Sequence, residues 1–145
     1  MTMLKDTVLK SRSFRSFSPE REITQEEMLF LLDTARRVPS ARNLQPLKYR
    51  YCITKEENAK LFSLTSWAGA LRPLKLPPEG HEPTGYIVIC TDNDISPKDS
   101  NRFLGVDIGI AAQTIMLASC EIGLGGCMLG AFDPQKVSED LNISE

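Results

Sequence analysis

The sequence predicts one α+β domain over residues 1–145, and three observations carry that reading. Residues 101–122 form a stretch of ~20 residues that is apolar on most of a helical circumference. Residues 49–53 alternate as a strand, and 86–90 make a short continuous apolar run bounded by Gly85 and Asp92. Two further segments open on Thr-x-x-Glu, the pattern of a helix capping box.

Met3, Leu4, Val8 and Leu9 recur at helical spacing, so a short first helix is predicted over 3–10. Lys10-Ser11-Arg12-Ser13-Phe14-Arg15-Ser16-Phe17 follows. Its two phenylalanines can anchor the segment while arginine and serine face a ligand. The guanidinium is a planar fork suited to phosphate or to carbonyl oxygens. The same composition also fits a solvated basic arm. Thr24 and Glu27 then cap a helix over ~25–37, with Met28, Leu31, Leu32 and Ala35 as its buried stripe.

Pro39-Ser40-Ala41-Arg42-Asn43-Leu44-Gln45-Pro46 ends that helix. Two prolines stiffen the loop, and Ser, Asn and Gln supply short donors and acceptors. Such residues suit a ligand loop, and they also dominate ordinary turns. After the strand 49–53, Thr54 and Glu57 make a second capping box for a helix through about Thr65. Residues 67–84 hold four of the nine prolines and read as a long irregular excursion, with Trp67 as a packing anchor. The run 86–90 reads as a central strand buried on both faces. A polar connector, 96–100, leads to the long apolar helix.

A domain this small cannot easily surround a helix about 30 Å long, so a second subunit is expected over one of its faces. Asp107, the one charge inside the apolar stretch, is expected to be a paired structural carboxylate. Gly123-Leu124-Gly125-Gly126 invites a dinucleotide-binding reading, but Met128 takes the third glycine position. The glycines also follow a helix instead of opening one, so that reading is rejected. Gly123 fits a helix C-terminal cap, and Met128-Leu129-Gly130-Ala131 the end of a strand. Gly130 would let backbone approach a flat ligand closely. Asp133-Pro134 opens a last short helix.

Net charge is −2, which implies no broad basic field for nucleic acid. No run approaches ~18 consecutive apolar residues, so no membrane span is expected. The N-terminus lacks a signal-peptide layout. Cys52, Cys90, Cys120 and Cys127 are spaced neither as metal knuckles nor as a compact disulfide frame. They are expected to be buried free thiols in a reducing cytoplasm. His81 is the single histidine, and no Gly-x-Ser-x-Gly elbow accompanies it, so neither a structural zinc site nor a Ser-His-Asp hydrolase is expected.

Three blocks occur in order: Arg12-Ser13-Phe14-Arg15, then Pro39-Ser40-Ala41-Arg42-Asn43-Leu44-Gln45-Pro46, then the run from Gly123-Leu124-Gly125-Gly126 to Gly130-Ala131-Phe132. Together they resemble the nitroreductase family of flavin enzymes, from about Ser11 to Phe132. The resemblance implies a mainly antiparallel sheet flanked by helices, with the long helix at the centre of a homodimer. It implies FMN as cofactor, NADH or NADPH as electron donor, and a small electrophilic acceptor such as a nitroaromatic or quinone, in a ping-pong scheme. The alternatives are another flavin reaction on the same fold, or a flavin-binding or degenerate dimer without catalysis.

The cofactor-binding residues it implies are Ser11, Arg12, Ser13 and Arg15 in the arm, with Pro39, Ser40, Ala41, Asn43 and Gln45 in the loop. At the strand end they are Met128, Leu129, Gly130 and Ala131, with the Gly130 N–H facing the flavin ring. The flavin itself is the only catalytic group implied, and arm and loop are expected to reach one flavin from opposite subunits. Ser11 stands where the family usually has arginine, so Lys10 or Arg12 is expected to take that contact. The chain ends at Glu145, before the further strand and C-terminal extension usual in the family. The resemblance also implies a cytoplasmic protein.

Overall fold

The computed structural model describes residues 3–95 and 102–143. Helix α1 (Met3–Lys10) forms as predicted but buries none of its residues, and Met3 is 82% exposed. Helix α2 (Gln25–Arg36) carries a complete capping box. The Glu27 N–H donates to Thr24 Oγ1 at 3.2 Å, and the Thr24 N–H donates to Glu27 Oε2 at 2.9 Å. Met28, Leu31 and Ala35 are buried and Leu32 is half-buried, so the predicted stripe is the inward face.

Glu27 also pairs with the Arg21 guanidinium. That hydrogen bond, and after it the Thr24 backbone, hold its carboxyl well below the usual range, at about 2. A carboxyl lowered on folding stabilises the protein above its unfolded pKa of about 4.3. That contribution fades as pH falls from there toward about 2. Glu27→Gln keeps a capping oxygen but loses the charge pair. The variant should therefore melt below wild type at pH 7, and the gap should close between about pH 4.3 and pH 2, read by thermal denaturation at stepped pH.

Strand β1 (Leu47–Cys52) pairs antiparallel with β2 (Tyr86–Thr91), in register from Leu47 opposite Thr91 to Cys52 opposite Tyr86. Among the described residues the sheet has these two strands. Strand β2 was expected to be central and buried on both faces. It is half-buried along its whole length, with β1 as its one neighbouring strand among the described residues.

Helix α3 (Lys55–Leu64) has half of its predicted box. Thr54 Oγ1 accepts from the Glu57 N–H, but the Glu57 carboxylate goes to Arg50 on β1 and to the Thr54 hydroxyl. A nearby guanidinium competes better for a carboxylate than a backbone amide does. Helix α5 (Pro134–Asp140) starts as predicted, with Asp133 Oδ1 accepting from the N–H groups of Gln135 and Lys136. Cys52, Leu61, Val137 and Leu141 join β1, α3 and α5 in one core cluster, flanked by Leu64, Tyr86, Val88 and Ile143. All four cysteines are free, but only Cys52 is fully buried; Cys90, Cys120 and Cys127 are half-buried. Burial pushes the Cys52 and Cys90 thiols up.

Helix α4 (Leu104–Glu121) begins later than the predicted 101; the polar connector 96–100 and Asn101 lie outside the described residues. It packs on α2 and α1. Asp107, Ala111, Ala118 and Ser119 are its buried residues, while Val106 is 56% exposed. Its 18 residues and mean hydropathy of 1.2 pass for a membrane span by length and composition alone, although Asp107 and Gln113 interrupt the apolar run. Its contacts with α1, α2 and the loop after α2 mark it instead as the central helix of this fold.

Residues 128–131 do not end a strand. An isolated parallel bridge, Ser13 to Gly126, precedes them, and an antiparallel one, Thr65 to Phe132, follows. The excursion holds a 3-10 segment, Gly69–Leu74. Trp67 anchors it, edge-on to Phe17 with ring centroids 6.2 Å apart and with Nε1 donating to Thr65 Oγ1 at 3.0 Å.

Candidate functional site

The arm leaves α1 and runs along the turn that follows α4. The Phe14 N–H donates to the Gly126 carbonyl at 2.9 Å, beside the Ser13–Gly126 bridge. Ser11 Oγ donates to the Met116 carbonyl at 3.4 Å. The Phe14 ring lies against Gly125 so closely that a Cβ there would sit 2.6 Å from Cδ2. Farther on, the Phe17 N–H donates to the His81 carbonyl at 3.0 Å, and His81 Nδ1 donates back to the Phe17 carbonyl at 2.9 Å. The lone histidine thus ties the arm to the excursion.

Among the described residues, the two arm arginines bond to backbone oxygens close by in sequence. Arg12 Nη1 donates to the carbonyls of Val8 (3.4 Å) and Ser11 (3.1 Å), and Arg15 Nη1 to that of Ser13 (3.2 Å). Neither joins an ion pair among the described residues. Shortly after Gly126 in the chain, the N–H groups of Met128, Leu129 and Gly130 donate to no acceptor among the described residues. Met128 is 51% exposed, and a Cβ on Gly130 would meet nothing within 4 Å. Ala131 differs: its carbonyl accepts from the Ser66 N–H at 2.8 Å.

The loop sits elsewhere. Pro39 leads exposed out of α2 into a 3-10 turn, Ala41–Asn43. Arg42, Asn43 and Gln45 have φ of 56°, 56° and 51°. That region is costly for residues with a Cβ, and such strain gathers at ligand clamps. Ser40 Oγ accepts the Gln45 N–H at 2.9 Å, so this hydroxyl shapes the loop as well as facing outward. The Ala41 N–H donates to Asp107 Oδ1 at 2.9 Å. Asp107 is thus hydrogen-bonded as a structural carboxyl, although its partner among the described residues is a backbone N–H and not a cation. Pro39, Ser40, Gln45, Tyr49 and Asp107 help line a cleft of about 240 Å³.

Arm and loop touch the same helix at different heights. Met116 and Asp107 are nine residues apart on α4, about 14 Å along its axis. Within one chain no hydrogen bond joins arm to loop among the described residues. The structure thus brings Ser13 to Gly126 and Ser11 to Met116, with Arg12 and Arg15 bonded back along the arm, and leaves Pro39, Ser40, Ala41, Asn43 and Gln45 as a second group. Sequence reasoning missed the tie from Asp107 to Ala41 and the Phe14–Gly125 contact. A lone charge in an apolar helix was the visible signal for the first; nothing local signals the second.

A model of the Nitroreductase family matches residues 8–145. The chain is 25% identical over 166 aligned positions to "Putative NAD(P)H nitroreductase YodC" of Bacillus subtilis (strain 168), covering 95% of this chain and 81% of that protein. Among solved structures, a nitroreductase family protein from Streptococcus pneumoniae TIGR4 superposes with a TM-score of 0.77 at 20% identity, over 97% of this chain and 83% of that one. An FMN-dependent nitroreductase from Clostridium difficile R20291 gives 0.74 at 22% identity, over 96% and 78%.

Proposed function

The chain belongs to the nitroreductase family, and from that premise we propose that it is an FMN-dependent oxidoreductase. In this reading it passes a hydride from NADH or NADPH to an electrophilic acceptor such as a nitroaromatic or quinone. One observation carries the reading. Among the described residues, the arm that carries two guanidiniums without carboxylate partners is bridged at Ser13 to Gly126, and two to four residues beyond that bridge three backbone N–H groups have no acceptor. That donor set fits a phosphate and the electron-rich edge of a flavin ring. The open space over Gly130 fits the approach of a flat ring.

When bound, FMN supplies the hydride chemistry. Arg12 or the exposed Lys10 would hold the phosphate end, while Ser11, whose hydroxyl donates to the Met116 carbonyl, fixes the arm on α4. Arg15 and the N–H groups of 128–130 lend positive potential where the ring gains negative charge. Ser40, Asn43 and Gln45 orient the ring from the other side. The ping-pong scheme needs no side chain of this chain as a general acid or base.

The uncovered apolar surface supports a homodimer. Met3, Leu4, Val8 and Leu9 on α1 and Val106 on α4 are all exposed in the single chain, and a second copy would cover them. A dimer would also bring one chain's arm toward its partner's loop. A cytoplasmic location belongs to the same proposal.

Steady-state kinetics test the chemistry. With NADH or NADPH varied at several fixed concentrations of a quinone, double-reciprocal plots should be parallel. Intersecting lines would contradict the ping-pong scheme, and no turnover with either nucleotide would contradict the activity.

A further inference from the structure

We infer that Asp107 is a positioning residue, which sets the shape of the loop 40–45 before any ligand arrives; the consequence for flavin rests on the function proposed above. Asp107 is 2% exposed inside an apolar helix. A buried carboxyl is costly unless hydrogen-bonded. Oδ1 has its partner, the Ala41 N–H at 2.9 Å, whereas Oδ2 is buried with no hydrogen-bond partner among the described residues. A helix chosen for packing alone would carry an apolar side chain there. The carboxyl is better explained by what it holds.

What it holds is strained. Three residues of the loop, Arg42, Asn43 and Gln45, sit in the left-handed region without being glycine. Such conformations persist only where surrounding structure fixes them. The other described bonds of the segment are internal: Asn43 N–H to the Ser40 carbonyl, Leu44 N–H to the Ala41 carbonyl, and Gln45 N–H to Ser40 Oγ. Between Ser40 and Gln45, the bond from Ala41 to Asp107 is the one that reaches another element among the described residues. Asp107 also lines the cleft shared with Ser40 and Gln45, so the carboxyl that holds Ala41 stands in the wall of that cleft.

The test compares wild type, Asp107→Asn and Asp107→Leu by amide hydrogen exchange and by FMN titration. Asparagine keeps an acceptor for Ala41; leucine keeps the volume and none of the polarity. In Asp107→Leu, exchange should accelerate at residues 41–45 while the amides of α2 and α5 stay as protected as in wild type. FMN affinity should fall about tenfold in Asp107→Leu and stay within about threefold in Asp107→Asn. Should the leucine variant not fold, Asp107→Ser replaces it, since its hydroxyl falls short of Ala41. Unchanged protection at 41–45 in the leucine or serine variant would overturn the inference, as would equal FMN loss in Asp107→Asn. If wild type binds no FMN, the flavin reading fails, and exchange at 41–45 still decides whether Asp107 sets the loop.

Discussion

Gly125→Ala should detach the arm and lower FMN affinity by one to two orders of magnitude. The new Cβ would lie 2.6 Å from Phe14 Cδ2 and 2.9 Å from Cγ. Cγ is the root of the ring, so the clash is not with the loose end of a side chain. The Phe14 backbone cannot simply retreat, because its N–H is bonded to the Gly126 carbonyl. Overpacking of this kind costs roughly 1–3 kcal/mol. At about 1.4 kcal/mol per tenfold, that is about five- to 150-fold if the strain is relieved by lifting the arm. The two residues are in contact, so their effects should not add. Gly125→Ala combined with Phe14→Ala should bind FMN no worse than Phe14→Ala alone. Gly69→Ala, where a Cβ meets nothing within 4 Å, is the control. Wild-type affinity in Gly125→Ala would show that the arm does not need this contact.

The second large effect comes from pairing two defective variants. Arg12→Ala with Arg15→Ala removes both guanidiniums of the arm; Ser40→Ala with Asn43→Ala strips the loop. Hydrogen bonds to charged groups are each worth roughly 1.5–3 kcal/mol. Each homodimer should therefore lose FMN affinity at least about tenfold. After subunit exchange, a heterodimer whose sites each combine one chain's arm with its partner's loop has one doubly damaged site and one intact site. Flavin binding and NAD(P)H oxidation should return, at up to half a site per chain in the heterodimer. If arm and loop of one chain served one site, each site would keep a defect and nothing would return. The 14 Å offset along α4 favours recovery.

The helices were legible because their signals are local. Thr24, Thr54 and Asp133 cap where the sequence placed them, and Gly123, at φ 78°, closes α4. The α2 stripe followed from spacing alone. What failed depended on partners far away in the chain. Residues 128–131 look like a strand, yet among the described residues no strand pairs with them, and isolated bridges flank them instead. The run 86–90 has the apolarity of a central strand, but its burial depends on neighbours that apolarity cannot name. Glu57 turned from its cap to Arg50 because β1 brings that guanidinium within reach. The arm and loop were readable as two polar segments flanking the apolar helix, whereas their separation along α4 and the hold of Asp107 on Ala41 emerge only once the helix lies between them.

The central claim is that this chain holds FMN in a site made by two copies of itself. Its most direct test is a single sample: protein saturated with FMN, passed over a sizing column with light scattering and absorbance recorded together. The account predicts a particle of twice the 16.2 kDa chain mass carrying the bands of oxidised flavin at one FMN per chain. A particle of either size that emerges without flavin, or a monomer that retains it, would contradict the claim.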